Sequence, residues 1–242
     1  LGHPLDTLNF GATSDVDGNA RVALLFHPGV PVIPAPPGAV ILGLQTPRDL
    51  IPVASCAGSN EGEMFYMPVP DTPGTINGAY TNKAFFAQSV VTTLVHEFQH
   101  LINAGRRVFV LNTSNLEEVW LNEGLSHVAE ELLYYSESGN SPRTNIDLAK
   151  INSTQAQVDA ANTYVLQDLV RLKTYMVSPE VNSPYSPVDG LEMRGSIWQL
   201  LRYSADRKGG TEKSTWYSLV NTTATGQANF NAVFGSIPTM AH

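Results

Sequence analysis

Three residues of the run Leu94-Val95-His96-Glu97-Phe98-Gln99-His100 have the side chains and spacing to hold a metal ion and move a proton. On a helix, His96 and His100 project from one face with Cβ atoms about 5–6 Å apart, which suits two nitrogens about 2.0–2.1 Å from one zinc ion. Glu97 lies beside the pair, where its carboxylate can hold a water at the metal rather than the metal itself. The histidines fall between the strongest apolar positions of the run, so they are not filling a hydrophobic stripe. The chemistry this pattern points to is hydrolysis by a metal-activated water.

A catalytic zinc keeps three protein ligands and one open position, so a third ligand is needed. A metzincin would place a glycine three residues after the second histidine and a histidine three further on. Asn103 and Arg106 stand there, which excludes that class. A glutamate on a second helix is the other common solution, and Trp120-Leu121-Asn122-Glu123-Gly124 offers one 23 positions after His100. His127, one turn beyond, is the alternative third ligand. A ferritin-like diiron site would need two Glu-x-x-His pairs; Glu97–His100 is one, but Glu123–His127 has the wrong spacing.

With HEFQH followed by Asn-Glu-Gly, the sequence resembles the gluzincin group of zinc peptidases. Within that group it is most similar to the hyicolysin-like family of secreted bacterial neutral metallopeptidases. The likeness runs from GSNEGEMFYM through LVHEFQHLIN to WLNEGLSHVAEEL, with a weaker echo in SDVDGNARVALLF, less than half the chain. It implies that His96, His100 and Glu123 bind one Zn2+ per chain and that Glu97 is the general base. It also implies an acidic residue seven positions after the ligand glutamate, here Glu130, able to orient a ligand histidine. Thermolysin-like members have an aspartate four positions after that glutamate; His127 stands there instead. Gluzincins commonly stabilise the oxyanion with a Tyr or His of the helical part. The candidates here are Tyr185, Tyr203 and Arg194, with Tyr185 taken as the catalytic partner.

The elements that must position these residues are legible in outline. Val90, Val91, Leu94, Val95, Phe98, Leu101 and Ile102 recur at helical spacing and predict a buried amphipathic helix from about Lys83, stopped by Gly105. A second helix is expected from about Asn115 to Tyr135, capped by Ser114 or Asn115, and a third over about Thr154 to Met176. Further helices are expected over Arg194 to Asp206, Glu212 to Val220 and Ala228 to Phe234. The first hundred residues read as strand and loop, with RVALLF, Val40 to Leu44 and EMFYMPV as strands and the proline-rich Pro28 to Gly38 as an extended loop. EMFYMPV, just before the HEFQH helix, is the expected edge for an extended peptide substrate.

The expected fold is therefore α+β: one zincin-like catalytic domain over residues 1–242. A β-rich N-terminal lobe ending in the HExxH helix (1–105) and a mainly helical C-terminal lobe (106–242) would flank the active-site cleft. Glu117, Glu118 and Glu131 read as a solvated helix face, and His3, His27 and His242 as loop or terminal residues. Asp15, Asp17 and Asn19 raise the possibility of calcium, but Ala20 and Phe26 occupy the EF-hand glycine and glutamate positions, so an ordinary turn is expected.

Bulk properties narrow the partners. Acidic residues outnumber basic ones 22 to 14, with no basic run beyond Arg106-Arg107, so nucleic acid is not an expected partner. No apolar run approaches the roughly 20 residues of a membrane span. Cys56 is the single cysteine, which excludes an internal disulfide and cysteine-ligated zinc. The opening at Leu1, low Lys content and absence of disulfides suit a secreted or cell-surface mature form. The expected function is a zinc-dependent endopeptidase acting on proteins or peptides. An aminopeptidase of the same class and a zinc-stabilised binding protein are the alternatives.

Overall fold

The computed structural model describes residues 2–35, 40–73 and 83–235, and His242 lies outside them. Among the described residues the fold is α+β and helix-rich, with one small sheet. Its strands are β1 (Ala23–His27), β2 (Leu44–Gln45) and β3 (Met64–Pro68), in the order β1-β3-β2. β1 runs parallel to β3, with Ala23 opposite Met64, and β2 runs antiparallel to it, with Gln45 opposite Phe65. EMFYMPV is thus the middle strand, its backbone engaged on both sides, and it cannot serve as the expected substrate edge. The edges of the sheet are β1 and β2. Of the Val40 to Leu44 strand expected from sequence, only Leu44 is paired.

The helices are α1 (Gly2–Phe10), α2 (Lys83–Gly105), α3 (Val119–Ser138), α4 (Leu148–Ile151), α5 (Gln155–Tyr164), α6 (Leu166–Val177), α7 (Leu191–Lys208), α8 (Glu212–Val220) and α9 (Gly226–Phe234). One buried cluster runs from Phe10, Leu50 and Phe65 through α2 and α3 to Ile197, Leu201, Trp216 and Phe230. α1 corrects the reading of the front as strand and loop. Its sequence has little apolar periodicity, and it is helical because α2 and α8 cover it: Phe10 is fully buried, and His3 is stacked on Phe98 at 5.0 Å rather than lying in a loop. Of the proline-rich stretch, residues 36–38 lie outside the described residues, and the described part contains a short 3-10 turn, Val30–Val32.

α2 ends at the expected Gly105, which keeps helical angles as the chain continues into a wider turn over Arg106–Val110. Its missing side chain admits Ser14, whose Oγ would lie 2.7 Å from a Cβ there. α3 begins at Val119, not Asn115, and no side chain caps it. The stretch 154–176 breaks at Val165 into α5 and α6, with Thr154 capping α5. Neither proline nor glycine marks that break, so periodicity alone joins the two.

Two of the three glutamates expected in solvent are buried with cations. Glu117 accepts from Arg107 Nη2 at 2.5 Å, and Glu131 pairs with Arg202 at 2.8 Å, which also holds Glu212 at 2.9 Å. Trp198 and Leu201 lie in the core as their spacing predicts.

Asp6 of α1 is fully buried, and neither carboxylate oxygen has a hydrogen-bond partner. Burial pushes its carboxyl well above the ordinary range, against the opposing charge of His96. A carboxyl raised in the folded state contributes stability that is present below the unfolded pKa and lost as pH rises toward the folded one. Between those values stability should fall by about 1.4 kcal/mol per pH unit. Asp6→Asn should therefore raise the melting temperature at pH 7 and leave it nearly unchanged at pH 4; an unchanged melting temperature at pH 7 would rule this out.

Candidate metal centre

α2 and α3 pack side by side and bring HEFQH against Asn-Glu-Gly. The glycine of that motif has a steric reason: a Cβ on Gly124 would stand 2.7 Å from Ile197 and 2.8 Å from Leu201, so its absence lets α7 close over α3. Asn122 accepts from Asn103 Nδ2 at 2.9 Å, tying the start of α3 to the last turns of α2. In this arrangement His96 Nε2 lies 3.1 Å from His100 Nε2 and 3.4 Å from Glu123 Oε2, and His100 Nε2 lies 3.6 Å from Glu123 Oε1.

Three ligand atoms about 2.0–2.1 Å from a tetrahedral zinc would be about 3.3 Å apart. The Nε2–Nε2 distance and the nearest Glu123 oxygen to each histidine lie close to that value, so the donor set fits a zinc ion. Each histidine also has a partner on its far nitrogen, as a metal-binding imidazole requires. His96 Nδ1 meets Glu130 Oε1 at 2.7 Å, which leaves Nε2 as the free lone pair. His100 Nδ1 lies 3.0 Å from Ser126 Oγ, whose hydroxyl donates to Gln99 Oε1 at 2.7 Å.

The protein groups by themselves place a positive charge here. Burial works against protonating His96, but hydrogen bonds to Glu123 and Glu130 outweigh it and hold the ring at about 10. Burial drives His100 down to about 4. Burial would raise Glu123, yet Arg194, His100 and His96 hold it well below the carboxylate range. The cluster thus accommodates one positive charge between its histidines and carboxylates, and a dication can take the place of that proton.

Glu97 is buried beside the triad. Burial pushes its carboxyl up to about 7, while His96, the Gln45 backbone N–H and Arg194 pull it down. The Gln45 contact comes from β2, and Gly43 makes it possible: a Cβ there would lie 2.6 Å from Thr93 Cγ2 and 3.0 Å from Met67 Sδ. Arg194 enters from α7. Its Nη1 is 2.9 Å from Glu123 Oε2, and its Nε and Nη2 are clamped on Asp189, each at 2.7 Å.

A cavity of about 230 Å³ is lined by the donors and by Val40 to Gln45, Glu97, Glu130, Gln167, Arg171 and Arg194, among others. A second, of about 190 Å³, is lined by Asn103, Leu116 and Asn122, among others. Gln45, His100 and Glu123 line both. Of the three oxyanion candidates only Arg194 lines this cleft. Tyr185 packs edge-on against Trp120 at 5.0 Å and against Phe230 at 6.3 Å, and Tyr203 is 44% exposed elsewhere on α7. His127 faces Glu130 and Asp168, each at 3.0 Å, rather than the open side of the triad. Sequence reading did not single out Gln45, Ser126, Asp168 or Asp189. Ser126, three residues after Glu123 on one helix face, carried a detectable signal; the others are joined to the site only by tertiary packing.

Away from the cleft, ligand atoms of Asp15, Asp17 and Glu63 come within 4.8 Å of one another. Glu63 is occupied by Ser14 Oγ at 2.7 Å and by the Val16 N–H, and Asp17 takes the Asn19 N–H in a tight turn. No helix among the described residues is long and apolar enough to cross a membrane.

No family model matches the chain. Over 129 residues, 53% of its length, it is 31% identical to the neutral metalloprotease ShpI of Staphylococcus hyicus, and the match spans 27% of that protein. By this similarity the chain is related to a metalloprotease.

Proposed function

We propose that this chain is a zinc-dependent endopeptidase of the gluzincin type, in which His96, His100 and Glu123 hold the metal and Glu97 is the general base. The observation that carries the reading is the convergence of three donor residues, with the two Nε2 atoms 3.1 Å apart and 3.4 and 3.6 Å from the two Glu123 oxygens, beside a buried carboxyl. Similarity to a metalloprotease supports it, as does the core running through both parts of the chain, read here as one domain with the cleft between residues 1–105 and 106–242. Secretion, suggested by composition, belongs to the same reading.

Zinc, when bound, supplies a Lewis acid for the scissile carbonyl and acidifies the attacking water. Glu97 would take a proton from that water at its carboxylate and give it to the leaving amine. Arg194, rather than Tyr185, is the donor for the oxygen that becomes negative, since it lines the cleft with Nη1 2.9 Å from Glu123 Oε2 while Asp189 fixes the rest of the guanidinium. β2, the sheet edge that lines the cleft, would receive the extended peptide.

Endopeptidase action is favoured because two cavities meet at Gln45, His100 and Glu123, leaving room along the site. The carboxylates lining the larger cavity are Glu97, Glu123 and Glu130, each already engaged, which leaves none to grip a free substrate amine. The protein should bind one zinc per chain, cleave peptides with blocked N-termini, lose activity to a chelator and regain it with added zinc. Cleavage confined to free N-termini would make it an aminopeptidase. Zinc uptake with no cleavage of any peptide library would leave only a binding role.

A further inference from the structure

α6 and α7 cross with their backbones in contact: a Cβ on Gly195 would stand 2.3 Å from Arg171 C and Leu172 N. On one side of this crossing Arg194 reaches Glu123. On the other, Asp168 and Arg171, one turn apart on α6, reach α3. Asp168 Oδ1 is 3.0 Å from His127 Nδ1 and 2.9 Å from Arg171 Nη1, which lies 3.9 Å from Glu130 Oε2. Glu130 Oε1 meets His127 Nδ1 at 3.0 Å and His96 Nδ1 at 2.7 Å. A continuous polar chain therefore runs from α6 to the first zinc donor.

This chain is expensive for the fold. His127 and Asp168 are almost wholly buried, and His127 Nε2 and Asp168 Oδ2 have no hydrogen-bond partner. Buried ion clusters cost desolvation that their mutual attraction often does not recover, and well-packed apolar residues would be at least as stable. A role in geometry accounts for them better than a role in stability.

We propose that Asp168 and Arg171 are positioning residues of the metal centre, holding the His96 ring in place through His127 and Glu130. This rests on the reading of His96, His100 and Glu123 as zinc donors. Glu130 meets both His96 and His127; Asp168 shares with it the Nδ1 of His127, and Arg171 Nη1 lies 2.9 Å from Asp168 and 3.9 Å from Glu130, so the four groups fix one another. Arg171 also lines the larger cavity, so a substrate contact is the competing role.

Three variants, Arg171→Met, Arg171→Lys and Asp168→Asn, separate the two roles. Each is measured for zinc affinity by competition with a chromophoric chelator, for the visible spectrum of its cobalt(II) form, and for kcat and KM on a blocked peptide. Arg171→Met and Asp168→Asn should weaken zinc binding about 10–100-fold and shift the cobalt bands. They should lower kcat at unchanged KM, and Arg171→Lys should restore most of the loss. Arg171 is partly exposed and Met keeps the length of its stem, so this variant serves even if Asp168→Asn does not fold. Parental zinc affinity and an unshifted cobalt spectrum in folded Arg171→Met overturn the proposal, with a raised KM marking a substrate contact and a lowered melting temperature alone marking a structural one. Failure of the underlying reading looks different: His96→Ala would then bind zinc as tightly as the parent.

Discussion

Replacing Glu97 with Gln should lower peptide hydrolysis by about 10²–10⁴-fold while leaving one zinc per chain. Gln has the shape of Glu, and its amide oxygen can still accept the Gln45 backbone N–H, so the geometry around β2 is kept. It cannot take a proton from water. Because Glu97 is not one of the three donors, zinc affinity should change little. Burial already pushes the Glu97 carboxyl up to about 7, so an uncharged isostere should not lower the melting temperature at neutral pH. Metal analysis, a melting curve and kcat/KM on one blocked peptide are sufficient. Zinc-loaded Glu97→Gln with activity within tenfold of the parent would remove Glu97 as the base.

Arg107→Met should destabilise the protein by about 3–5 kcal/mol, because it strands the Glu117 carboxylate in the interior. Arg107 is fully buried and donates to Glu117, to Asn103 Oδ1 at 3.1 Å and to the Ala224 carbonyl at 3.0 Å. Glu117 also accepts the Gly226 N–H at 2.6 Å and Asn229 Nδ2 at 2.7 Å, so this pair joins α2, the approach to α3 and the start of α9. For a chain of this size the loss corresponds to a melting point lower by roughly 6–20 °C. Zinc affinity should fall too, since Asn103 bonds both Arg107 and the Asn122 that precedes Glu123. Arg107→Met with Glu117→Gln should recover much of the stability, because the stranded charge is gone. A loss below about 1 kcal/mol in the single variant would show that the pair contributes no more than a surface ion pair.

That ion pair also explains why α3 was misplaced. Ser114 and Asn115 look like caps, but the chain ahead of α3 is set by Glu117 binding an arginine ten positions earlier, and helical structure begins only at Val119. α1 and the break at Val165 were hidden for the same reason. Local pattern is weak at both, and packing against distant elements decides them.

His96, Glu97 and His100 were legible because one helix presents them at fixed spacing, and α2 extends over the predicted residues. Glu123 was legible through its motif and Glu130 through its position seven residues on. Both lie on one helix, where sequence distance determines which face a side chain occupies. Everything that reaches the site from another element was decided by tertiary structure. β2 rather than β3 is the edge over the cleft because strand order depends on pairing, which alternation of residues does not encode. Arg194 rather than Tyr185 faces the donors because Gly124 and Gly195 let α7 pack closely on α3 and α6. The sequence by itself determined which side chains share a face along α2 and α3, through the repeat of the helix. The groups that reach these side chains from β2, α6 and α7 were decided only by close packing between elements, which no local period records.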